Sequence, residues 1–301
     1  MSETNYIREY MAVYYDDDNC VHLFIYSTYD GNKTFSHIPT VEELEAVFNV
    51  SGFEIDISDC FEDCSNMIAS PKLPEEISDE TSFDGLDETF MNCTALVIPP
   101  KLPVAGYSYR VFKGCTALKQ APVIRIGAKY VNYMFQNCSS LLCPVSIPAT
   151  VRGIRSLYEG CTALDGEMVV RATPSTITDA LKNTAGSITL YGDQATCEAI
   201  AATANNGNAS WRPWYQPEPA VTDRGQGSYT TAEDMTRMVR NGALAVSSYA
   251  PGRMVYHQGD IVRADEWEAL VEAAQTIDPT ITLSTHYANL NKIEKAFDDA
   301  L

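Results

Sequence analysis

The sequence predicts an α/β repeat fold: a solenoid of about six coils, with a small α+β cap before it and a mainly helical unit after it. Three observations carry this. One phrase recurs six times, its apolar positions keep fixed offsets, and both flanks lose the period. The copies are Phe61–Met67, Phe90–Leu96, Phe112–Leu118, Phe135–Leu141, Tyr158–Leu164 and a decayed Leu181–Thr184. The cysteine position advances by 29, 22, 23, 23 and 23 residues, so only the first step holds an insertion. A period of roughly 20–29 residues is that of leucine-rich-repeat-type solenoids, in which each coil stacks on the last. Such a fold presents a surface, which turns the functional expectation away from catalysis.

Each coil follows from offsets counted from the cysteine position. Offset −7 reads Ile57, Leu86, Ser108, Val131, Ile154 and Ile177. Offset −3 reads Phe61, Phe90, Phe112, Phe135, Tyr158 and Leu181, and offset +3 reads Met67, Leu96, Leu118, Leu141 and Leu164. The −7/−3 pair is one helical turn apart and fits a short helical arc. Offsets +7 and +9, as in Val145/Ile147 and Met168/Val170, alternate as in a strand. A coil is therefore expected to run arc, tight turn, strand. The residue before each cysteine position is Asp63, Asn92, Gly114, Asn137, Gly160 or Asn183, the types that tolerate a left-handed backbone. The sequons at Asn92 and Asn137 are thus read as turn positions rather than glycosylation sites.

The flanks read differently. Residues 1–53 form the cap: Tyr10–Tyr15 and Val21–Tyr26 are strand-like runs about Asp16–Asn19, and Pro39–Glu43 opens a helix bearing Leu44, Val47 and Phe48. Asp16–Asp18 lacks the alternating ligands of a calcium loop and reads as a solvated turn. Residues 54–205 are the solenoid, ending in a terminal strand at Ser187–Tyr191 and a short helix at Cys197–Ala204. Residues 206–229 are a proline-aromatic linker carrying Trp211, Trp214 and Tyr215; its rings either seal the open end or dock on another subunit. Residues 230–301 form the helical unit. Thr230 and Glu233 make a capping box for a helix that Gly242 ends, Asp265 caps a second, and Leu290, Ile293, Phe297 and Leu301 stripe a third. A stripe of that kind serves a core or an oligomer seam, so these four residues join Trp211, Trp214 and Tyr215 as candidate anchors.

Charge and cysteines narrow the chemistry. The net charge of −19 argues against nucleic acid and anionic membrane as partners. Twelve acidic residues against Lys72 alone lie between Glu54 and Glu88; a solubilising entry to the solenoid is the plainer reading, a cation- or base-binding face the sharper one. Five of the nine cysteines fall on the ladder position, where a small buried hydrophobe is needed, and a reduced ladder is expected. The four histidines are scattered, so no zinc site is read. No cofactor is implied, and no Walker loop, nucleophile elbow or paired-carboxylate signature occurs. The N-terminus has no basic and apolar export pattern, and no run approaches the roughly 20 apolar residues of a membrane span.

The phrase Phe-x-x-Cys-Thr-Ala-Leu followed by Pro-x-Leu-Pro, best seen at Phe90–Pro103 and Phe135–Pro148, resembles the BspA-type leucine-rich repeats. That family is frequent in surface adhesins of Bacteroides-like gut bacteria, in mucosal protists, and in virion proteins of phages infecting those bacteria, including crAss-like phages. The resemblance covers residues 54–191 and implies a scaffold rather than a site. With no export signal, the leading expectation is a non-enzymatic virion protein: a head fibre, capsid decoration or tail appendage. Its expected partners are other virion proteins or further copies of itself, with a host-surface protein or glycan on the repeat face. The alternative is a bacterial or protist adhesin exported by a non-standard route. Anchoring is expected through residues 206–301, with the repeats outward.

Overall fold

The computed structural model describes residues 4–8, 11–15, 20–25, 54–73, 86–218 and 230–301, the four N-terminal strands by their backbone. These strands are β1 (Thr4–Arg8), β2 (Met11–Tyr15), β3 (Cys20–Ile25) and β4 (Glu54–Asp56). They form one sheet in the order β1-β2-β3-β4. The hairpin expected from the sequence is β2/β3, antiparallel from Met11 against Ile25 to Tyr15 against Val21. β4 pairs parallel with β3 and runs into the first repeat at Ile57, so the cap and the repeats share a sheet edge. The Asp16–Asp18 turn and the helix expected from Pro39 lie outside the described residues.

Every repeat hydrogen-bonds to the next through its backbone. The N–H groups of Arg110, Phe112 and Gly114 donate to the carbonyls of Asn132, Met134 and Gln136 at 3.1, 2.9 and 2.8 Å. The equivalent rungs join the first repeat to the second, the second to the third, and so on through the sixth. Between these rungs, alternate residues close turns within their own coil: Lys113 N–H donates to Arg110 O and Cys115 N–H to Phe112 O, both at 3.0 Å.

That alternation corrects the expected helical arc. The residue before each cysteine position has positive φ, as its type predicts, from Asp63 at 59° to Gly160 at 78°. A second left-handed position recurs at offset −5, where Asp59, Glu88, Arg110, Tyr133, Ser156 and Asp179 have φ between 51° and 60°. A helix cannot pass through such a residue, and half of the N–H groups are already given to the neighbouring coil. The segment is a run of tight turns whose −7, −4, −3, 0 and +3 side chains point inward.

Inside, like side chains stack on like. The rings of Phe61, Phe90, Phe112, Phe135 and Tyr158 lie parallel within 8°, with centroids 5.2, 5.4, 5.8 and 5.6 Å apart. Met67, Leu96, Leu118, Leu141 and Leu164 are fully buried beside them. Tyr158 keeps its place in the phenylalanine stack because its buried hydroxyl donates to Val145 O and accepts from Val145 N–H, each at 3.0 Å.

Among the described residues, regular strand after the turn stretch appears in the last coils. β5 (Gly166–Val170), β6 (Ile188–Gly192) and β7 (Ala209–Trp211) form a parallel sheet in that order. Ile147 bridges Val170, but Val145 lies outside any strand. α1 (Gln194–Ala201) links β6 to β7, its N–H of Thr196 capped by Asp193 at 2.9 Å. The sheet thus runs past residue 205 into the expected linker, because the period continues there in polar residues. Leu181 N–H and Asn183 N–H, whose counterparts donate to a next coil's carbonyls, donate to Thr203 Oγ1 and Asn205 Oδ1 at 2.9 and 3.0 Å. Side-chain oxygens close the stack where the backbone ladder stops.

The helical unit comprises α2 (Ala232–Ala245), α3 (Ala264–Gln275) and α4 (Tyr287–Ala300). Its capping box is Thr231 with Asp234, one residue later than expected, since Thr231 rather than Thr230 has its hydroxyl placed on the N–H of Asp234. Gly242 does not end α2. It lies where an added Cβ would come within 2.9 Å of the Phe297 ring, so it permits α4 to approach α2 closely. Asp265 is inside the first turn of α3 rather than its cap, and Arg263 N–H donates instead to Glu266 at 2.9 Å.

Candidate binding face

The seven anchor candidates separate into three groups. Leu290, Ile293 and Phe297 are buried in the helical unit's own core, so they are not open to a seam between chains. Leu301 is 48% exposed. Trp211 belongs to β7 and packs against the repeat core, its indole N–H donating to Gly192 O at 3.2 Å. Trp214 stacks on Tyr191 at 5.5 Å, and Tyr215 meets the same ring edge-on at 5.3 Å. Trp211 thus covers the repeat core at its last strand, one of the two outcomes the sequence left open, whereas Trp214 and Tyr215 lie between the sixth coil and the helical unit of the same chain.

Their packing is part of a larger contact. Val169 and Tyr191 of the repeats share one apolar cluster with Met238, Leu270 and Phe297. Arg171, just after β5, donates to the carbonyls of Tyr249 (3.0 Å), Val246 (3.3 Å) and Ala243, at and beyond the C-terminus of α2. A cation at a helix C-terminus complements the helix dipole, and burial lowers the pKa of this guanidinium. Glu167 accepts both contacts from Arg240 at 3.0 Å, Asp265 accepts Val123 N–H at 3.0 Å, and Lys101 pairs with Glu268 at 2.7 Å. A cleft of about 300 Å³ remains between Val123–Ile126 and α3, but its Asp265 and Glu268 are committed to this docking.

All of these contacts use offsets +6 to +10 of the coils. The turn stretch, offsets −9 to +1, carries none of them. On it a second parallel ladder runs Tyr107–Tyr130–Gly153–Thr176. Tyr107 and Tyr130 stack at 5.2 Å, with Tyr109 6.2 and 6.4 Å from them. Arg110 lies 5.5 Å over the Tyr133 ring and also pairs with Glu88. All four tyrosines are half-buried at the surface, while Arg152 and Arg155 are exposed and have no ion pair among the described residues. Gly153 between those arginines is required by close approach: an added Cβ would lie 2.8 Å from Tyr130 Cδ1 and 2.7 Å from Thr176 Oγ1.

The sequence reading missed this cluster, although a signal existed. From Thr89 to Tyr158 there are eight Lys and Arg and no Asp or Glu, inside a chain of net charge −19. The total charge hid a positive belt behind an acidic entry. No group of His, Cys, Asp and Glu able to hold a metal ion occurs among the described residues, and no helix there is long and apolar enough to cross a membrane.

Comparison of the chain with protein-family models, with curated proteins and with solved structures returned no match.

Proposed function

We propose that the stacked repeats are a BspA-type leucine-rich-repeat solenoid, and that the chain is a non-enzymatic structural and binding protein of a phage particle. A head fibre, a capsid decoration and a tail appendage all fit this reading. The observation that carries it is the division of the repeat surface. The +6 to +10 stretch of the second to sixth coils meets the helical unit, and the turn stretch of the third to fifth coils is left with half-buried tyrosines and the exposed Arg152 and Arg155. At the same ladder positions other coils carry Gly153, Thr176 and Ser156, so stacking of the coils does not require an aromatic residue there. A face of that composition on a rigid stack suits adhesion.

Residues 206–301 carry the attachment to the particle in this reading. The helical unit keeps exposed apolar side chains beyond its own core, Ile261 at 74%, Leu283 at 56% and Leu301, which suit a contact with another virion protein or a second copy. Peptide mass spectrometry of purified particles made by the phage carrying the gene tests the assignment. Recovery of this chain at a constant ratio to the major capsid protein is expected. Its recovery only from bacterial surface fractions would favour an exported adhesin instead.

A further inference from the structure

We infer that the turn face of the third to fifth coils binds an anionic glycan, a chain of sugar rings bearing carboxylate or sulfate groups. This rests on the reading of the repeats as a presented surface and names the chemistry that surface recognises.

The first argument is charge. Eight basic and no acidic residues lie between Thr89 and Tyr158, whereas Glu54–Glu88 carries twelve acidic residues and one lysine. Five of the eight, Arg110, Lys113, Lys129, Arg152 and Arg155, lie in the turn stretch of the third to fifth coils, whose one acidic residue, Glu159, pairs with Lys182 at 3.4 Å. Among them Arg152 and Arg155 are exposed without an ion pair among the described residues, while Lys101 and Arg110 are paired. Two unpaired guanidinium groups side by side on the fifth coil are suited to bidentate contact with carboxylate or sulfate oxygens.

The second argument is the kind of neutral surface between those charges. Tyr109, Tyr130 and Tyr133 present half-buried rings whose hydroxyls have no protein partner among the described residues. Ring edges with free hydroxyls can take both the C–H faces and the hydroxyl groups of a sugar. The rungs keep these groups in register, so recognition costs little ordering of the protein.

The third argument is geometry. Three adjacent coils at a spacing of about 5 Å give a row about 10–15 Å long, enough for two or three linked sugar rings. A polynucleotide long enough to run along the repeats would reach the acidic entry at Glu54–Glu88, which disfavours it.

The test is a binding titration by calorimetry or fluorescence with the full-length chain. The probes are a chondroitin sulfate hexasaccharide, a neutral chitohexaose, and a short oligothymidylate. The hexasaccharide is expected to bind, more weakly as salt rises, with chitohexaose markedly weaker and oligothymidylate weaker still. Arg152→Glu with Arg155→Glu should weaken binding by about tenfold or more. Tyr133→Phe should weaken it a few-fold while leaving the melting temperature unchanged. Both arginines are exposed, so the reversed variant should melt as the parent does; if it does not, the Arg152→Gln, Arg155→Gln pair reads the same loss. Equal binding of chitohexaose, tighter binding of oligothymidylate, binding indifferent to the arginine variants, or no binding of the hexasaccharide would each overturn the inference. Particle incorporation of the Arg152→Glu, Arg155→Glu chain separates the two readings. Normal incorporation alongside a failed glycan titration overturns only the ligand, whereas absence of the parent chain from particles overturns the virion reading.

Discussion

The Sγ of Cys138 lies 3.0 Å from the carbonyl oxygen of Phe112, one coil back, and donates its S–H there. Cys93 does the same to Phe61, Cys115 to Phe90 and Cys161 to Phe135, each at 3.0 Å. Those carbonyls already accept an N–H from their own coil, as Phe112 O does from Cys115 N–H. The thiol occupies the remaining acceptor capacity in a site too dry for water. Cysteine thus supplies a small apolar body and a weak donor at the one place where adjacent coils need both.

The thiols should be closed to reagents. Burial pushes Cys115 and Cys161 up from 9.0 to about 12, and raises Cys93 and Cys138 as well. Alkylation of the native chain should leave these four unmodified and add four adducts after denaturation. Because the folded thiols hold their protons at a pH where unfolded ones lose them, stability should be level below about pH 9 and fall from there towards pH 12. Rapid native labelling, or a melting temperature that rises over that interval, would contradict the ladder.

Leu141 is fully enclosed between coils. Leu141→Ala should cost about 2–5 kcal/mol, the price of a cavity that a stacked core cannot collapse around. An unchanged unfolding midpoint in urea would count against the packing.

Asparagine and glycine alternate at the turn position because one fills the other's space. A Cβ at Gly114 would sit 2.4 Å from Asn92 Oδ1, and one at Gly160 would sit 2.3 Å from Asn137 Oδ1. Gly160 also has φ of +78°. Gly160→Ala should destabilise by more than about 1 kcal/mol, and Asn137→Ala should cost less in that background than in the parent chain. Strict additivity in the double mutant would show that the backbone angle alone sets the cost.

Arg171 should hold the helical unit to the repeats. Arg171→Met keeps the aliphatic reach and removes the donors to Tyr249, Val246 and Ala243, at a cost of about 1.5–3 kcal/mol. Hydrogen exchange should speed up first in the last turn of α2. A uniform change over the whole chain would point to global destabilisation instead.

Much of this was legible in the sequence. The offsets −3, 0 and +3 located the buried ladder because stacking demands the same side chain at the same height in each coil. The positive-φ position could be read from Asp, Asn and Gly. The second one at offset −5 could not, because Glu88, Arg110, Tyr133 and Ser156 share no chemistry; the inter-coil hydrogen bonds impose that angle on whatever residue is there. The Leu290/Ile293/Phe297 stripe showed an apolar face but not its partner, which proved to be α2 and α3 of the same chain. The asparagine closure at Asn205 and Asn208 was hidden because polar side chains replaced the apolar pattern that marks the earlier coils. The tyrosine-arginine face was obscured by an overall charge that averages two opposite regions.

Electron cryomicroscopy of assembled particles, compared with particles lacking this gene, measures the central claim most directly. The account predicts extra density attached through residues 206–301, with the Tyr109, Tyr130, Arg152 and Arg155 face turned to solvent. Identical maps with and without the gene, or that face packed against the particle, would contradict it.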